Sequence, residues 1–401
     1  MKLPITLLLG AVAFCAAAEP TDSVKTDSTK TFIFTDVIDL PTTSVKDQNK
    51  SGTCWSFSAT SFMEDEIRHN GGDSLDLSEM YTVRQCYLDK ARQYVRMYGQ
   101  ANFGAGGSAM DVPYVWDKYG AMPEEVYSGL NYGEEKHVHG ELDAVLAAYV
   151  KEIVKKPNGK LSTAWEKGIE GILDAYLGEV PETFVYKGKT YTPKSFAESQ
   201  PVKISDYVPV TSFTHHPYYE AYAVEVPDNW LGAKYYNLPL EEMKAVVDRS
   251  LEKGHALVWA ADVSERGFKW NKGVALMPKV KEEKDLSGTE LSRWVKLSDS
   301  ERANDAYNFE GPVEEIKVTP EMRQDMFDKQ ETTDDHGMEI VGTAVDQFGN
   351  KYYKVKNSWD TNQVYDGFFY VSEPYFLAKT INVLVHRDAL PKETATKLGL
   401  K

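Results

Sequence analysis

The sequence is short of cysteine, of long apolar runs and of positive charge. Its 401 residues include three cysteines, Cys15, Cys54 and Cys86. That number cannot build a disulfide framework, and pairing Cys54 with Cys86 would consume the one thiol placed for chemistry. The longest early apolar stretch, Ile5 to Phe14, has ten residues, about half of what a membrane-spanning helix needs. Lys and Arg number 45 against 61 Asp and Glu, a formal net charge of −16. Such a chain repels nucleic-acid phosphates and anionic membrane surfaces, so neither is expected as a partner. No internal repeat is present. The glycine-rich run FGAGGSA lacks the Lys-Ser/Thr of a phosphate loop and the third glycine of a dinucleotide fold, and it reads as a turn before a helix. Two histidine pairs, His137/His139 and His215/His216, have no carboxylate or thiol at ligand spacing, so no metal and no cofactor are expected.

What is present is ample apolar content, 42%, enough for two unlike halves or one domain with large insertions. Lys2, the apolar stretch and Ala16-Ala17-Ala18 form the pattern of a cleaved export signal ending near Ala18, which implies a periplasmic or secreted protein. Residues 19–31 are polar and aperiodic, a flexible leader. Trp55, Ala59, Phe62, Met63 and Ile67 recur at helical spacing, so a helix begins at or just before Cys54 and stops at Asn70-Gly71-Gly72. Further helices are expected over 78–98, 108–119, 141–155, 162–176 and 240–253. Beyond Gly254 the period shifts to strands: 256–263, 338–345, 351–356, 368–371 and 381–386. Helices first and antiparallel strands later define an α+β protein. Its organisation is read as a helical half with the nucleophile (32–130), an insertion (131–240) rich in packed tyrosines such as Tyr218 and Tyr235, a β-rich half (241–390) and a tail (391–401).

The chemistry-bearing residues are spread widely. Cys54 opens a helix, where the macrodipole lowers a thiol's pKa. Cys86, among Tyr81, Val83 and Tyr87, reads instead as a small buried hydrophobe. Of eight histidines, His336 follows Asp334-Asp335 and opens a strand. Asn357 ends the next strand, across a hairpin loop at Asp346–Asn350, so antiparallel pairing sets it beside His336. Its side-chain oxygen can then fix the imidazole tautomer, with Trp359 covering the bond. Gln48, six residues before Cys54, can donate its amide to a developing oxyanion together with the Cys54 N–H.

These residues, in the order Gln48, Ser51-Gly52-Thr53-Cys54-Trp55, His336-Gly337-Met338 and Asn357-Ser358-Trp359, resemble the papain family of cysteine peptidases. The resemblance implies a papain-like fold: a helical domain and an antiparallel, barrel-like β domain meeting at a cleft, with a large helical insertion. It departs at Ser51, where the family usually carries a disulfide cysteine, and at Asp360, where glycine usually follows Asn-Ser-Trp. Cys54 and His336 lie 282 residues apart, against ~130–150 in papain and the cathepsins. Glu19 to Asp47 leaves 29 residues, too few for an inhibitory pro-segment. Both features, with DQNKSGTCW, FGAGGSAMDVPYVWDKYGAMPEE, TTDDHGM and YVSEPYF, are similar to the bleomycin hydrolase and aminopeptidase C branch. That resemblance implies peptide substrates, hexameric self-assembly and a tail whose carboxylate, here Lys401, receives the substrate ammonium. Gly106 and Gly107 are expected to border the substrate. An endopeptidase with a displaced tail and a non-catalytic peptide-binding protein are the alternative readings.

Overall fold

The computed structural model describes residues 31–400; the expected export signal, nearly all of the expected leader and Lys401 lie outside the described residues. The first long helix spans Cys54–His69, and Trp55 to Ile67 are buried along it. It packs on Glu79–Arg96, whose start is capped by the Ser78 side chain accepting from the Tyr81 N–H. Helices Asp111–Lys118, Gly140–Val154 and Ala164–Leu177 complete this half. They follow the expected positions closely, since each buries an apolar stripe at helical spacing.

The second half is one mixed sheet. Its central strands are Leu257–Ala261, His336–Val345 and Lys351–Lys356. Leu257–Ala261 pairs antiparallel with His336–Val345 on one edge and with Thr380–His386 on the other. The N-terminal strand Thr35–Asp39 also joins His336–Val345. The sheet departs from the purely antiparallel expectation at two joints, where Phe368–Ser372 meets Val274–Ala275 and Tyr207–Thr211 meets Lys234–Asn237 in parallel.

Two segments differ from the expected layout. The 131–240 region is helical at Gly140–Val154, Ala164–Leu177 and Pro193–Glu198, and its last third carries strands. Tyr207–Thr211, Ala221–Ala223 and Lys234–Asn237 extend the main sheet beyond Thr380–His386. Within the β-rich half, Gly288–Trp294 and Asp299–Ala306 form two short helices with no buried residue.

Residues alternate across Leu257–Ala261, as they must in a strand. Val258 packs with the helical core, whereas Leu257, Trp259 and Ala261 pack in a second core with the helix Leu240–Glu252. The C-terminal helix Lys392–Lys397 docks on that second side, where Leu398 and Leu400 join the same core and the Thr394 hydroxyl donates to Glu242.

Candidate active site

Cys54 is the first residue of its helix, and it is partly accessible. Gly337, next to His336, lets the sheet approach it. A Cβ on Gly337 would lie 2.9 Å from Ser58 Oγ and 3.1 Å from Trp55 Cα. The bare backbone admits the helix start against the strand, and the Gly337 N–H reaches the Cys54 sulfur. Cys54, His336 and Gly337 line one small cavity with Trp55, Gly107, Val258, Ala260, Asp228, Asp334 and Asp335. The sulfur and the imidazole, far apart in sequence, thus share one cleft between helix and sheet.

The His336 tautomer follows from the hydrogen bonds. His336 Nε2 lies 2.7 Å from Asn357 Oδ1, and that oxygen also accepts the Ser358 N–H at 2.8 Å. The Asn357 oxygen is therefore the acceptor, Nε2 carries the proton, and Nδ1 keeps its lone pair. The Trp359 ring lies 4.5 Å from the His336 ring and 5.3 Å from Trp270, with Phe268 behind it. This aromatic wall shields the imidazole–amide bond from water.

Burial sets the charge state of the pair. It pushes the Cys54 thiol up to about 12 against the N–H groups of Gly337 and Trp55, and the carboxylates of Asp334 and Asp228 push the same way. Burial also holds His336 down at about 4, opposed by its bond to Asn357. Desolvation penalises the thiolate and so opposes the acidification expected from the helix start. Both shifts favour the uncharged thiol and the uncharged imidazole over their ionised forms.

Gln48 is tied to both walls. Its Nε2 donates to Ser51 O at 2.8 Å, and its Oε1 accepts from Ser358 Oγ at 2.7 Å. Its own N–H donates to Ser358 O. Ser358 thus fixes which end of the amide presents hydrogens, and one Nε2 hydrogen remains for a ligand. Thr53 offers no side-chain cap to the helix, so the Cys54 N–H stays open for an oxyanion, while the Trp55 N–H is turned to the Cys54 sulfur.

The glycine loop forms one wall. Gly107 lines the cavity, and a Cβ there would meet Asp111 and the Trp55 ring at 2.5 and 2.8 Å. At Gly106 a Cβ would fall 2.1 Å from the Asp228 carboxylate. Lys90 holds this loop by donating to the carbonyls of Gly104 and Gly106, and Trp55 Nε1 donates to Ala105 O. Cys86 is fully buried, as expected. Asp360 adopts φ +65°, the left-handed conformation that explains glycine as the usual residue there. Asp360 sustains it by accepting the Thr361 N–H on its carboxylate, 3.6 Å from Lys136. Residues 392–400 lie across the sheet from Cys54, and Leu400 is tied back to Ala395; Lys401, expected to receive the substrate ammonium, lies outside the described residues. Sequence reasoning missed Asp228, Lys90 and Ser358; only the glycine run and the Asn-Ser-Trp triplet pointed to their neighbourhood.

Comparison with known proteins agrees with this geometry. Residues 35–201 match the papain family cysteine protease description, and residues 280–400 match the peptidase C1-like family. The chain is a papain-like cysteine peptidase. Its relatives place it on the aminopeptidase C branch. Aminopeptidase C of Streptococcus thermophilus is 23% identical over 405 residues, covering 90% of this chain and 84% of the relative. Aminopeptidase G of Lactobacillus delbrueckii subsp. lactis is 24% identical, covering 88% and 83%. The crystal structure of PepW from Lactobacillus rhamnosis superposes with a TM-score of 0.67 at 20% identity, covering 91% of this chain and 84% of that one.

Proposed function

We propose that the chain is a cysteine aminopeptidase that removes residues from free peptide N-termini by acyl transfer. Cys54 attacks the scissile carbonyl as His336 takes the thiol proton at Nδ1. His336 then protonates the leaving amine and activates water to release the acyl group. Asn357 orients the imidazole; Gln48 and the Cys54 N–H receive the oxyanion. The observation that carries the peptidase reading is the shared cleft of Cys54 and His336, with the imidazole proton fixed on Nε2 by Asn357.

Preference for a free ammonium rests on carboxylates within the same cavity. Burial, Asp228 and Asp335 push Asp334 up to about 8, and burial raises Asp228. An incoming ammonium relieves this repulsion and draws the carboxyls into their charged forms. Among the described residues these are the carboxylates that line the cavity. The export-signal pattern of residues 1–18 supports action outside the cytoplasm, and resemblance alone supports a hexamer.

Turnover of a dipeptide reporter with a free amine, set against its N-acetylated twin, tests the reading. The free-amine substrate should be preferred by at least tenfold in kcat/KM, and the preference should shrink in Asp334→Asn. Equal rates would remove the aminopeptidase assignment and leave an endopeptidase.

A further inference from the structure

His215 and His216, left without a third ligand by their sequence spacing, gain one from the fold. The chain returns along the edge strand Ala221–Ala223 and brings Glu225 back to them. The ligand atoms of His215, His216 and Glu225 all lie within 4.8 Å of one another. His215 Nε2 is 3.1 Å from Glu225 Oε2, and His216 Nε2 is 2.8 Å from Glu225 Oε1. Each carboxylate oxygen faces one imidazole.

The protonation of His215 is set by Gln324. Gln324 Nε2 donates to Asp328 Oδ1 at 2.8 Å, which fixes the amide orientation. Its Oε1 accepts the Thr214 N–H at 2.7 Å and lies 3.1 Å from His215 Nδ1. Nδ1 therefore carries the hydrogen. With Nδ1 held by Gln324, Nε2 is the ring atom turned towards the carboxylate, where a shared ion would sit. A metal-ligating histidine ordinarily donates its other N–H to a carbonyl or carboxylate in just this way. Ring contacts hold the donor set in place: Tyr222 stacks on His216 at 3.9 Å, and Phe327 flanks His215 at 6.0 Å.

We propose that His215, His216 and Glu225 form a binding site for a borderline divalent transition metal, zinc being the best fit. Two imidazoles and one carboxylate with an open fourth position suit Zn²⁺, whereas Mg²⁺ and Ca²⁺ require oxygen-rich shells. Ligands at ~2.0–2.1 Å from a tetrahedral ion stand roughly 3.3 Å apart; the two imidazole–carboxylate contacts at 3.1 and 2.8 Å need to open by only a few tenths of an ångström, and all three donors already lie within 4.8 Å. The ion acts as a clip. It joins the 212–217 loop to the edge strand and to the turn that carries Asp228, three residues past Glu225, into the Cys54 cavity. It stays outside the acyl-transfer chemistry.

The test is calorimetric titration of chelator-stripped, full-length Cys54→Ala protein with Zn²⁺, which removes the thiol as a competing ligand. One equivalent should bind with micromolar or tighter affinity, and the melting midpoint should rise with added Zn²⁺. Glu225→Gln and His216→Ala, each in the Cys54→Ala background, should weaken binding at least tenfold without changing the far-ultraviolet spectrum of the metal-free protein. Co²⁺ substitution should give the visible absorption of a four-coordinate ion, lost in Glu225→Gln. No saturable binding, or binding undiminished in Glu225→Gln, overturns the proposal and leaves the cluster as protonated histidines paired with a carboxylate.

Discussion

Gln48 and Ser358 carry an argument that stands on two hydrogen bonds. The Ser358 hydroxyl holds the Gln48 oxygen, so the amide hydrogens face Ser51 and the cleft. Gln48→Ala should lower kcat about 10²–10³-fold with little change in KM, the cost of one oxyanion donor. Ser358→Ala should give a smaller kcat loss, because it frees the amide to rotate without removing it. A loss expressed in KM alone would place Gln48 in ground-state binding. Little of this was legible in sequence. Gln48 stood out by its distance from Cys54, but Ser358 lies 310 residues away from it, and no local pattern announces so remote a partner. The same holds for Asp228, which becomes a cavity residue only through tertiary packing. Cys54, His336 and Asn357 were legible because each sits at the terminus of an element whose period the sequence displays.

Among elements, the contact between helix Cys54–His69 and strand His336–Val345 decides whether the cleft exists. Gly337 sets their spacing, with Ser58 and Trp55 at the limit of what a hydrogen in place of a Cβ allows. Gly337→Ala must push the helix start away. It should cost about 1–3 kcal/mol in stability and lower kcat/KM more than that loss of folded protein accounts for. Chemical denaturation read beside active-site titration separates the two effects; full activity per folded molecule would show that the close approach is dispensable. Helices with broad apolar stripes were placed well from sequence, as was Lys351–Lys356. The strands between 207 and 237 were not. They are three to five residues long, and their sheet neighbour Thr380–His386 lies far along the chain. Gly288–Trp294 and Asp299–Ala306 escaped notice because they bury nothing and so show no apolar period.

At the scale of the whole molecule, buried ionisable groups set the pH range of stability. Burial raises Glu64 and Glu124 to about 7 beside Glu79, with Lys46 as their nearest cation. Their folded pKa values exceed the unfolded ones, so the folded state binds more protons between about 4.5 and 7, and stability falls as pH rises through that window. His139 works the other way: burial and His137 hold it at about 4, so stability falls as pH drops from about 6.5 towards 4. The two effects oppose each other between about pH 4.5 and 6.5, so the unopposed loss of stability comes as pH rises past that window towards and above 7. Glu124 Oε2 has no hydrogen-bond partner among the described residues, so Glu124→Gln should raise stability at pH 8 by on the order of 1–3 kcal/mol and leave it nearly unchanged at pH 4.5. Melting curves across pH check this, and an equal effect at both pH values would contradict it.

The account turns on one thiol in the cleft being the nucleophile while the other stays inert in the core. Labelling with a peptide-like epoxide, followed by mass mapping of the adduct and assay of residual turnover, addresses this directly. One equivalent should attach to Cys54, none to the fully buried Cys86, and activity should vanish in proportion to labelling. Turnover that survives complete occupancy of Cys54 would contradict the account.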